Sequence, residues 1–220
     1  MDIDFWLQKW REGETGFHKD RPHEWLVRYW KDLNVEPGLT VLVPLCGKSL
    51  DMLYLANLGY RLIGIEAAQP AIKDFFKERE LEPSQHAIGS GYRWEAGPYT
   101  ILESDFFQLD ARETGEIHAV YDRAAFVALP ELLRQRYVDQ LVALTGGARP
   151  TLLITFEYSQ QFMAGPPFSI CRDEIEQKYG RRHVVHPLDR HKLEPVPDHL
   201  VAKGAQDMWE AAYLNLPKSP

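Results

Sequence analysis

Cysteine is scarce in this chain of 220 residues, which contains only Cys46 and Cys171. Two cysteines are too few for a disulfide framework. Long apolar runs are also missing, since none reaches the ~18 residues of a membrane span. The chain starts with an acidic segment (MDIDFW), which is not typical of a signal peptide. We therefore expect a soluble, cytoplasmic protein with no membrane partner.

An excess of positive charge is missing as well. The formal net charge is −7, and this argues against a protein that binds nucleic acid without sequence preference. Hydrophobic residues make up 45% and charged residues 26%, as in ordinary soluble proteins. At this length we expect one domain, residues 1–220, that buries about 70% of its unfolded surface. No exposed heptad is present, so we expect a monomer that acts on a small molecule.

Metal and thiol chemistry are both disfavoured. His183, His186 and His191 lie near the end of the chain, but no H-x-x-x-H spacing with a third ligand occurs. We expect no metal site. Cys46 has no second cysteine nearby, and it is better interpreted as a small packed side chain than as a nucleophile.

Residues 40–66 form the most informative segment. An apolar run from Thr40 to Val43, bounded by Pro44, predicts a strand, and a helical pattern that ends at Gly59 follows it. A second apolar strand then ends at Glu66. In a right-handed βαβ unit this end of the sheet binds ligands, and an acid there can accept both hydroxyl groups of a ribose. The segment predicts an adenosine site, although an ordinary α/β unit is an open alternative.

The turn after the first strand indicates which adenosine cofactor fits. It contains one glycine, Gly47, where a nicotinamide-binding turn needs G-x-G-x-x-G. Gly47-Lys48-Ser49 resembles the end of a phosphate-binding P-loop, but Leu42 occupies the position of its leading glycine. A cofactor without phosphates, S-adenosylmethionine, fits best. A nucleotide-dependent oxidoreductase and a non-catalytic binding module are the alternatives.

Strands and helices alternate along the rest of the chain, which predicts an α/β fold with a mostly parallel sheet covered on both faces. Before the first strand lie two aromatic-rich helical stretches, residues 4–11 and 23–33. Residues 81–97 are rich in turns and are interpreted as an insertion with a small hairpin. Further predicted helices cover residues 69–79, 130–144 and 173–179, and further predicted strands cover residues 99–103, 117–121, 151–156, 183–186 and 209–216.

Polar residues occur at the ends of four successive predicted strands. These are Gly47, Glu66, Asp105 and Arg123, with Asp122 beside the last. Because the carboxyl ends of parallel strands share one edge, we expect these residues to lie together. Asp105 would serve the adenine. Each aspartate alone is equally compatible with a helix cap.

The chain resembles the bacterial thiopurine S-methyltransferase family. Motifs in the family's order carry the resemblance: Trp6-x-x-x-Trp10, Gly16-Phe17-His18, Pro44-Leu45-Cys46-Gly47-Lys48-Ser49 with Leu50-Asp51-Met52, Gly64-Ile65-Glu66, Asp122-Arg123-Ala124-Ala125 and Gly165-Pro166-Pro167-Phe168.

The resemblance implies a class I methyltransferase fold, a Rossmann-like three-layer sandwich whose seven-stranded sheet ends in an antiparallel strand. It implies that Trp10, Leu45, Glu66 and Arg123 contact S-adenosylmethionine or lie beside it. It also implies that residues 1–35 form a helical lid carrying Trp6, Trp10 and Phe17, and that Phe17 and Arg123 contact the substrate. Family members methylate the sulfur of thiopurines and other aromatic or heterocyclic thiols, and some bacterial members act on selenium or tellurium compounds.

The chemistry of aromatic thiols gives Arg123 its predicted catalytic role. Such thiols are acidic, so a dedicated general base is dispensable and the fixed charge of Arg123 favours the anion. For Asp122 two roles stay open, as a proton acceptor or as the residue that orients Arg123. Phe162 and Phe168, on either side of the Gly165-Pro166-Pro167 loop, are candidates for the acceptor pocket or for loop anchoring.

Overall fold

The computed structural model describes residues 3–13, 15–16 and 18–219. Its helices are α1 (Ile3–Glu12), α2 (Glu24–Tyr29), α3 (Leu50–Asn57), α4 (Gln69–Lys77), α5 (Ala111–Thr114), α6 (Glu131–Leu144), α7 (Arg172–Tyr179) and α8 (Asp198–Val201), with 3-10 turns at Trp30–Leu33 and Phe126–Ala128. Its strands are β1 (Thr40–Pro44), β2 (Arg61–Glu66), β3 (Ser84–Ile88), β4 (Gly91–Ala96), β5 (Tyr99–Glu103), β6 (Ala119–Arg123), β7 (Thr151–Tyr158), β8 (His183–Lys192) and β9 (Met208–Pro217). Within the described ranges no helix has both the length and the apolar character needed to cross a bilayer.

The strands form one mixed sheet in the order β3-β4-β5-β2-β1-β6-β7-β9-β8. Strands β5, β2, β1, β6 and β7 are parallel to one another, and β9 runs antiparallel between β7 and β8. The predicted α/β class and the antiparallel last strand are confirmed. The predicted number of seven strands was wrong, because the described residues form nine.

The two additional strands belong to the segment that was interpreted as an insertion. Strands β3 and β4 form the expected hairpin, and β4 then pairs antiparallel with β5, where Trp94 lies opposite Ile101. The indole of Trp94 donates a 2.8 Å hydrogen bond to Glu103 on β5. The segment therefore extends the sheet at one edge and does not form an insertion outside it.

Apolar side chains cover both faces of the sheet. On one face Trp25, Trp30 and Phe75 are buried with residues of β1, β6 and β7. On the other face Tyr137 and Tyr179, from α6 and α7, are buried. Burial of each such side chain contributes roughly 1.5–3 kcal/mol to folding, so helices packed on both faces hold the central strands and the ends of these strands in place.

Strand β6 lies two residues further along the chain than predicted. It covers Ala119–Arg123 because Ala119 pairs with Val41 of β1. Asp122 and Arg123 are thus the last two residues of the strand rather than residues that follow it. Successive side chains of a strand point to opposite faces, so Asp122 and Arg123 lie on opposite sides of the sheet.

Candidate active site

A cavity of about 1230 Å³ opens at the carboxyl ends of the parallel strands. Its wall includes residues of the turn after β1, of the end of β2 and of the end of β6. Residues of the N-terminal helix α1 also line the cavity. Of the predicted site residues, the cavity wall includes Trp10, Leu45, Gly47, Glu66 and Arg123.

The turn after β1 has a left-handed backbone at two positions. Leu45 has φ +46° and Gly47 has φ +53°. A Cβ atom at position 47 would lie 2.9 Å from Cζ2 of Trp10. Such a contact is too short for a real side chain, so glycine is required where the indole of α1 packs on the turn. Lys48 forms an ion pair with Glu78, and Ser49 caps α3, so neither residue acts as part of a P-loop.

Glu66 at the end of β2 is held by two backbone N–H groups. Gly47 donates to Oε2 and Ala68 to Oε1, each at 2.8 Å. Burial raises the pKa of Glu66 above its ordinary value, although these N–H groups partly offset the effect. The carboxylate therefore ties the turn after β1 to the end of β2, and it faces the cavity with both oxygens in fixed positions.

Cys46 is a packing residue, as expected. Its thiol lies against β2, where a Cβ on Gly64 would come within 2.6 Å of Sγ. Burial raises the pKa of the Cys46 thiol well above its ordinary value. The thiol is thus kept in its unreactive form.

Arg123 is anchored by a buried carboxylate that the sequence analysis did not assign to the site. Its Nε lies 2.8 Å from Oδ2 of Asp51, which is 1% exposed. The same carboxylate accepts hydrogen bonds from the hydroxyl of Tyr121 at 3.0 Å and from the backbone N–H of His23 at 2.7 Å. Burial would lower the pKa of Arg123, but the nearby Asp51 raises it above its ordinary value. The guanidinium is therefore permanently charged and fixed at the cavity wall.

Asp122 does not orient Arg123. Its carboxylate lies on the other face of β6, where the hydroxyl of Tyr137 donates at 2.7 Å and the backbone N–H of Phe126 at 3.1 Å. Burial raises the pKa of Asp122 to about 6. Asp122 is not part of the described cavity wall, so its acid is structural.

Asp105 is not brought to the cavity either. Its carboxylate accepts hydrogen bonds from the backbone N–H of Phe107 at 3.0 Å and from the side chain of Gln108 at 3.3 Å. These two bonds hold a turn. No helix begins at Asp105, because α5 starts at Ala111, so the helix cap that the sequence offered as the alternative to adenine binding is not formed. Phe17, predicted to contact the substrate, lies outside the described residues.

The loop at residues 165–168 contributes its prolines to the cavity wall, not its phenylalanine. Phe168 packs under Gly165, where a Cβ would lie 2.7 Å from the ring. The backbone N–H of Phe168 donates to the carbonyl of Val127 at 2.7 Å. Phe168 thus anchors the loop, and Pro166 and Pro167 face the cavity.

Sequence reasoning also missed His23 and Glu210, which meet at the cavity wall with 3.1 Å between Nε2 and Oε1. His23 precedes α2 and Glu210 lies on β9, so 187 residues separate them. One signal was available, because Glu210 is a lone charge inside the apolar run Met208–Pro217. Among the residues that the structure describes, no cluster of three His, Cys, Asp or Glu side chains has the arrangement of a metal site.

The fold is shared with solved methyltransferases. One is the 1,6-didemethyltoxoflavin-N1-methyltransferase of Burkholderia thailandensis, solved with S-adenosylhomocysteine. It superposes with a TM-score of 0.64 over 97% of this chain and 87% of that chain, at 13% identity. Another is a SAM-dependent methyltransferase from Anabaena variabilis ATCC 29413, with a TM-score of 0.61 over 97% of this chain and 94% of that chain, at 15% identity. Sheet order and neighbours together define a class I methyltransferase fold.

Sequence relatives identify the family. The profile of the thiopurine S-methyltransferase family matches residues 1–215. A thiopurine S-methyltransferase of Xanthomonas campestris pv. campestris (strain 8004) is 44% identical over 194 residues, 88% of each chain. One from Nitrosomonas eutropha (strain DSM 101675 / C91 / Nm57) is 39% identical over 213 residues, 97% of each chain. The chain belongs to the thiopurine S-methyltransferase family, and it is an enzyme that uses S-adenosylmethionine.

Proposed function

We propose that this protein transfers the methyl group of S-adenosylmethionine to the sulfur of thiopurines and other aromatic or heterocyclic thiols. One observation carries the proposal: a single cavity joins the Glu66 turn to the wall that holds Arg123. At about 1230 Å³ it exceeds the ~300–1,000 Å³ of a typical site for one small ligand. It has room for a methyl donor and an acceptor side by side.

The residues beside Leu45, Gly47 and Glu66 suit the methyl donor, and we call this part the cofactor half. When bound, S-adenosylmethionine supplies a methyl group activated by a sulfonium charge. Glu66 presents a fixed carboxylate for the two ribose hydroxyls. Trp10 packs over the turn and presents an aromatic face, which attracts a cation by roughly 0.5–2 kcal/mol.

The part of the cavity beside Arg123, Phe156 and Glu210 suits the acceptor, and we call it the acceptor half. Val127, Ile154 and Phe156 supply apolar surface for an aromatic ring. Within the described ranges no residue accepts a hydrogen bond from Nη1 or Nη2 of Arg123, so these groups are available to a ring nitrogen or sulfur of the acceptor. Alignment of donor and acceptor can contribute ~7–11 kcal/mol to lowering the barrier.

We also propose that residues 1–35 act as a lid on one domain that spans the chain. Helix α1 has no buried residue, yet it contributes Trp6 and Trp10 to the cavity wall. A helix without buried side chains can open at low cost in free energy. The lid would admit the two ligands and then exclude water from the cavity.

We further infer that the enzyme works as a monomer in the cytoplasm and does not bind nucleic acid. The net charge of −7 argues against nucleic-acid binding, and the two cysteines suit a reducing compartment. The sequence shows no heptad pattern that would call for association. Light scattering coupled to size exclusion, at several protein concentrations, tests the predicted oligomeric state.

Calorimetric titration and an acceptor screen test the proposal together. We expect S-adenosylmethionine and S-adenosylhomocysteine to bind, and NAD and ATP to bind at least about a hundredfold more weakly, since the turn lacks the glycines that a pyrophosphate needs. With labelled donor, 6-mercaptopurine should become methylated and its oxygen analogue hypoxanthine should not. Binding of NAD in preference would support an oxidoreductase, and binding of the donor without transfer to any thiol would support a non-catalytic module.

A further inference from the structure

The carboxylate of Glu210 is an acidic group of the acceptor half that the proposed function leaves without a role. On β9 Glu210 lies opposite Phe156 of β7 and His191 of β8. It is 8% exposed and belongs to the cavity wall. A buried acid in a strand of apolar residues costs free energy of folding, and this cost calls for a functional reason.

One oxygen of Glu210 is held by a neutral histidine. Nδ1 of His23 accepts the backbone N–H of Trp25 at 3.2 Å, because His23 is the N-cap of α2. An accepting Nδ1 carries no proton, so the ring proton is on Nε2. Nε2 lies 3.1 Å from Oε1 of Glu210 and donates to it. His23 thus orients the carboxylate without neutralising its charge.

The other oxygen of Glu210 has no hydrogen-bond donor among the described residues. Nε2 of His191 is 3.9 Å away from Oε2, beyond hydrogen-bond distance. The other groups that face Glu210 are Arg123 and Tyr121 on β6, whose pKa values it influences. Oε2 is therefore available as an acceptor on a side chain that is 10% exposed, in the wall that a substrate would contact.

The balance of charge shows what kind of substrate fits there. Arg123 is paired with Asp51 at 2.8 Å. Because the carboxylate of Asp51 compensates the charge of Arg123, this charge does not balance that of an incoming anion. A thiolate placed in the acceptor half would lie near the carboxylate of Glu210, and two like charges at short distance repel. A neutral thiol that gives up its proton inside the cavity avoids this repulsion.

We propose that Glu210 is the proton acceptor of the methyl transfer and that His23 is its positioning residue, an inference that rests on the proposed function. The substrate class is then a thiol, or a thione tautomer, that arrives neutral. The S–H proton of a thiol passes to Oε2, and the electron pair left on sulfur forms the new S–CH3 bond. A thione gives its N–H proton to Oε2 instead; the N–H pair then forms the C=N bond, and the π pair of C=S moves to sulfur and forms the S–CH3 bond. The pair of the broken bond stays on the sulfur of S-adenosylhomocysteine, and the protonated Glu210 later returns its proton to water.

The test compares Glu210→Gln with the wild type on two thiols at pH 7. A nitro-substituted benzenethiol is mostly ionised at this pH, and benzyl mercaptan is protonated. We expect kcat to fall ~100-fold or more with benzyl mercaptan, the usual contribution of a general base. With the ionised thiol kcat should not fall, because the variant removes the charge that repels a thiolate. Glu157→Gln is the matched control, because Glu157 lies on the neighbouring strand outside the cavity wall and pairs with Arg190. It should leave both rates unchanged.

Two further variants separate the chemical role from a structural one. Formate should restore activity of Glu210→Ala toward benzyl mercaptan, because a small carboxylate can occupy the space left by the side chain. His23→Asn keeps a capping side chain but loses the Nε2 donor, and kcat with the protonated thiol should fall ~10-fold. Unchanged affinity for S-adenosylhomocysteine would show that each variant is folded.

Equal losses with both thiols, or no loss with either, would overturn the role of Glu210. A wild type that methylates neither thiol nor any thiopurine would overturn the proposed function itself. The two failures are therefore distinguishable.

Discussion

The guanidinium of Arg123 lies 2.8 Å from the carboxylate of Asp51, at the wall of the cavity. Asp51 comes from the first turn of α3 and Arg123 from the end of β6, so the pair joins two elements on either side of β1. Because Nε of Arg123 is paired with Asp51, Nη1 and Nη2 are the guanidinium groups that can bind a ligand. We therefore propose that Arg123 orients an acceptor rather than supplying an uncompensated charge.

Arg123→Lys should lower kcat with an aromatic thiol ~10-fold or more, while the affinity for S-adenosylmethionine changes less. Lysine keeps the charge, but it cannot reproduce the planar arrangement of donors. Arg123→Met should be worse, because it leaves the buried charge of Asp51 without a positively charged partner. Steady-state rates at saturating donor, together with calorimetric affinities, check this.

Arg134→Lys is the matched control for these variants. Arg134 is a buried arginine that also pairs with a carboxylate, that of Glu174 at 2.7 Å, but it lies on α6 outside the cavity wall. Turnover should be unchanged in this control. If Arg123→Lys and Arg123→Met weaken donor binding but keep full turnover at saturation, Arg123 serves the cofactor alone.

Glu66→Gln should weaken the binding of S-adenosylmethionine at least about tenfold while the fold survives. Glutamine lacks the charge that strengthens hydrogen bonds to ribose hydroxyls, each worth roughly 1.5–3 kcal/mol. Calorimetric titration measures the change. Glu103→Gln is the control, since Glu103 is the partner of Glu66 in the β2–β5 register but is not part of the described cavity wall. Equal affinities of the two variants would remove Glu66 from the site.

Asp122 should make the protein less stable as the pH rises from about 4 to 6. Burial raises its folded pKa to about 6 from 3.8, so the unfolded chain ionises first and unfolding is favoured as the pH rises through this window. The difference corresponds to ~3 kcal/mol. Relative to the wild type, Asp122→Asn should gain about this much free energy of unfolding between pH 4 and pH 7. Urea unfolding curves that shift in parallel for both proteins would contradict this assignment.

Helix α1 should exchange its amide hydrogens more slowly when S-adenosylhomocysteine is bound. Without ligand it has no buried residue and is held by contacts such as Trp10 against Gly47. A ligand beneath it adds contacts to the closed position and shifts the population toward it. Helix α6, which packs on the far face of the sheet, is the internal control and should not change. Equal protection of α1 in both states would mean that this helix is a fixed part of the wall.

Local patterns predicted most of the fold because they depend on near neighbours along the chain. The β1–α3–β2 unit, its left-handed Gly59 and Glu66 at the end of β2 follow from apolar periodicity and turn residues. Pro70 near the start of α4 was located in the same way. The hairpin was recognised too, but whether it extends the sheet depends on pairing with β5, which no local pattern specifies.

The residues that the sequence analysis missed or misplaced depend on contacts between distant parts of the chain. The bond between His23 and Asp51 spans 28 residues, and the bond between His23 and Glu210 spans 187. Sheet order brings these residues together, and periodicity does not determine sheet order. Asp122 was misplaced for a simpler reason: the end of β6 was set two residues too early, and this hid the alternation that separates Asp122 from Arg123.

The central claim, that the methyl group goes to sulfur, is tested most directly by the product formed from 6-mercaptopurine and donor labelled with ¹³C in its methyl group. We expect one new ¹³C methyl resonance, at the position of an S–CH3 group, to grow as the donor is consumed. A resonance at the position of an N–CH3 group, or consumption of the donor without a methylated purine, would contradict the account.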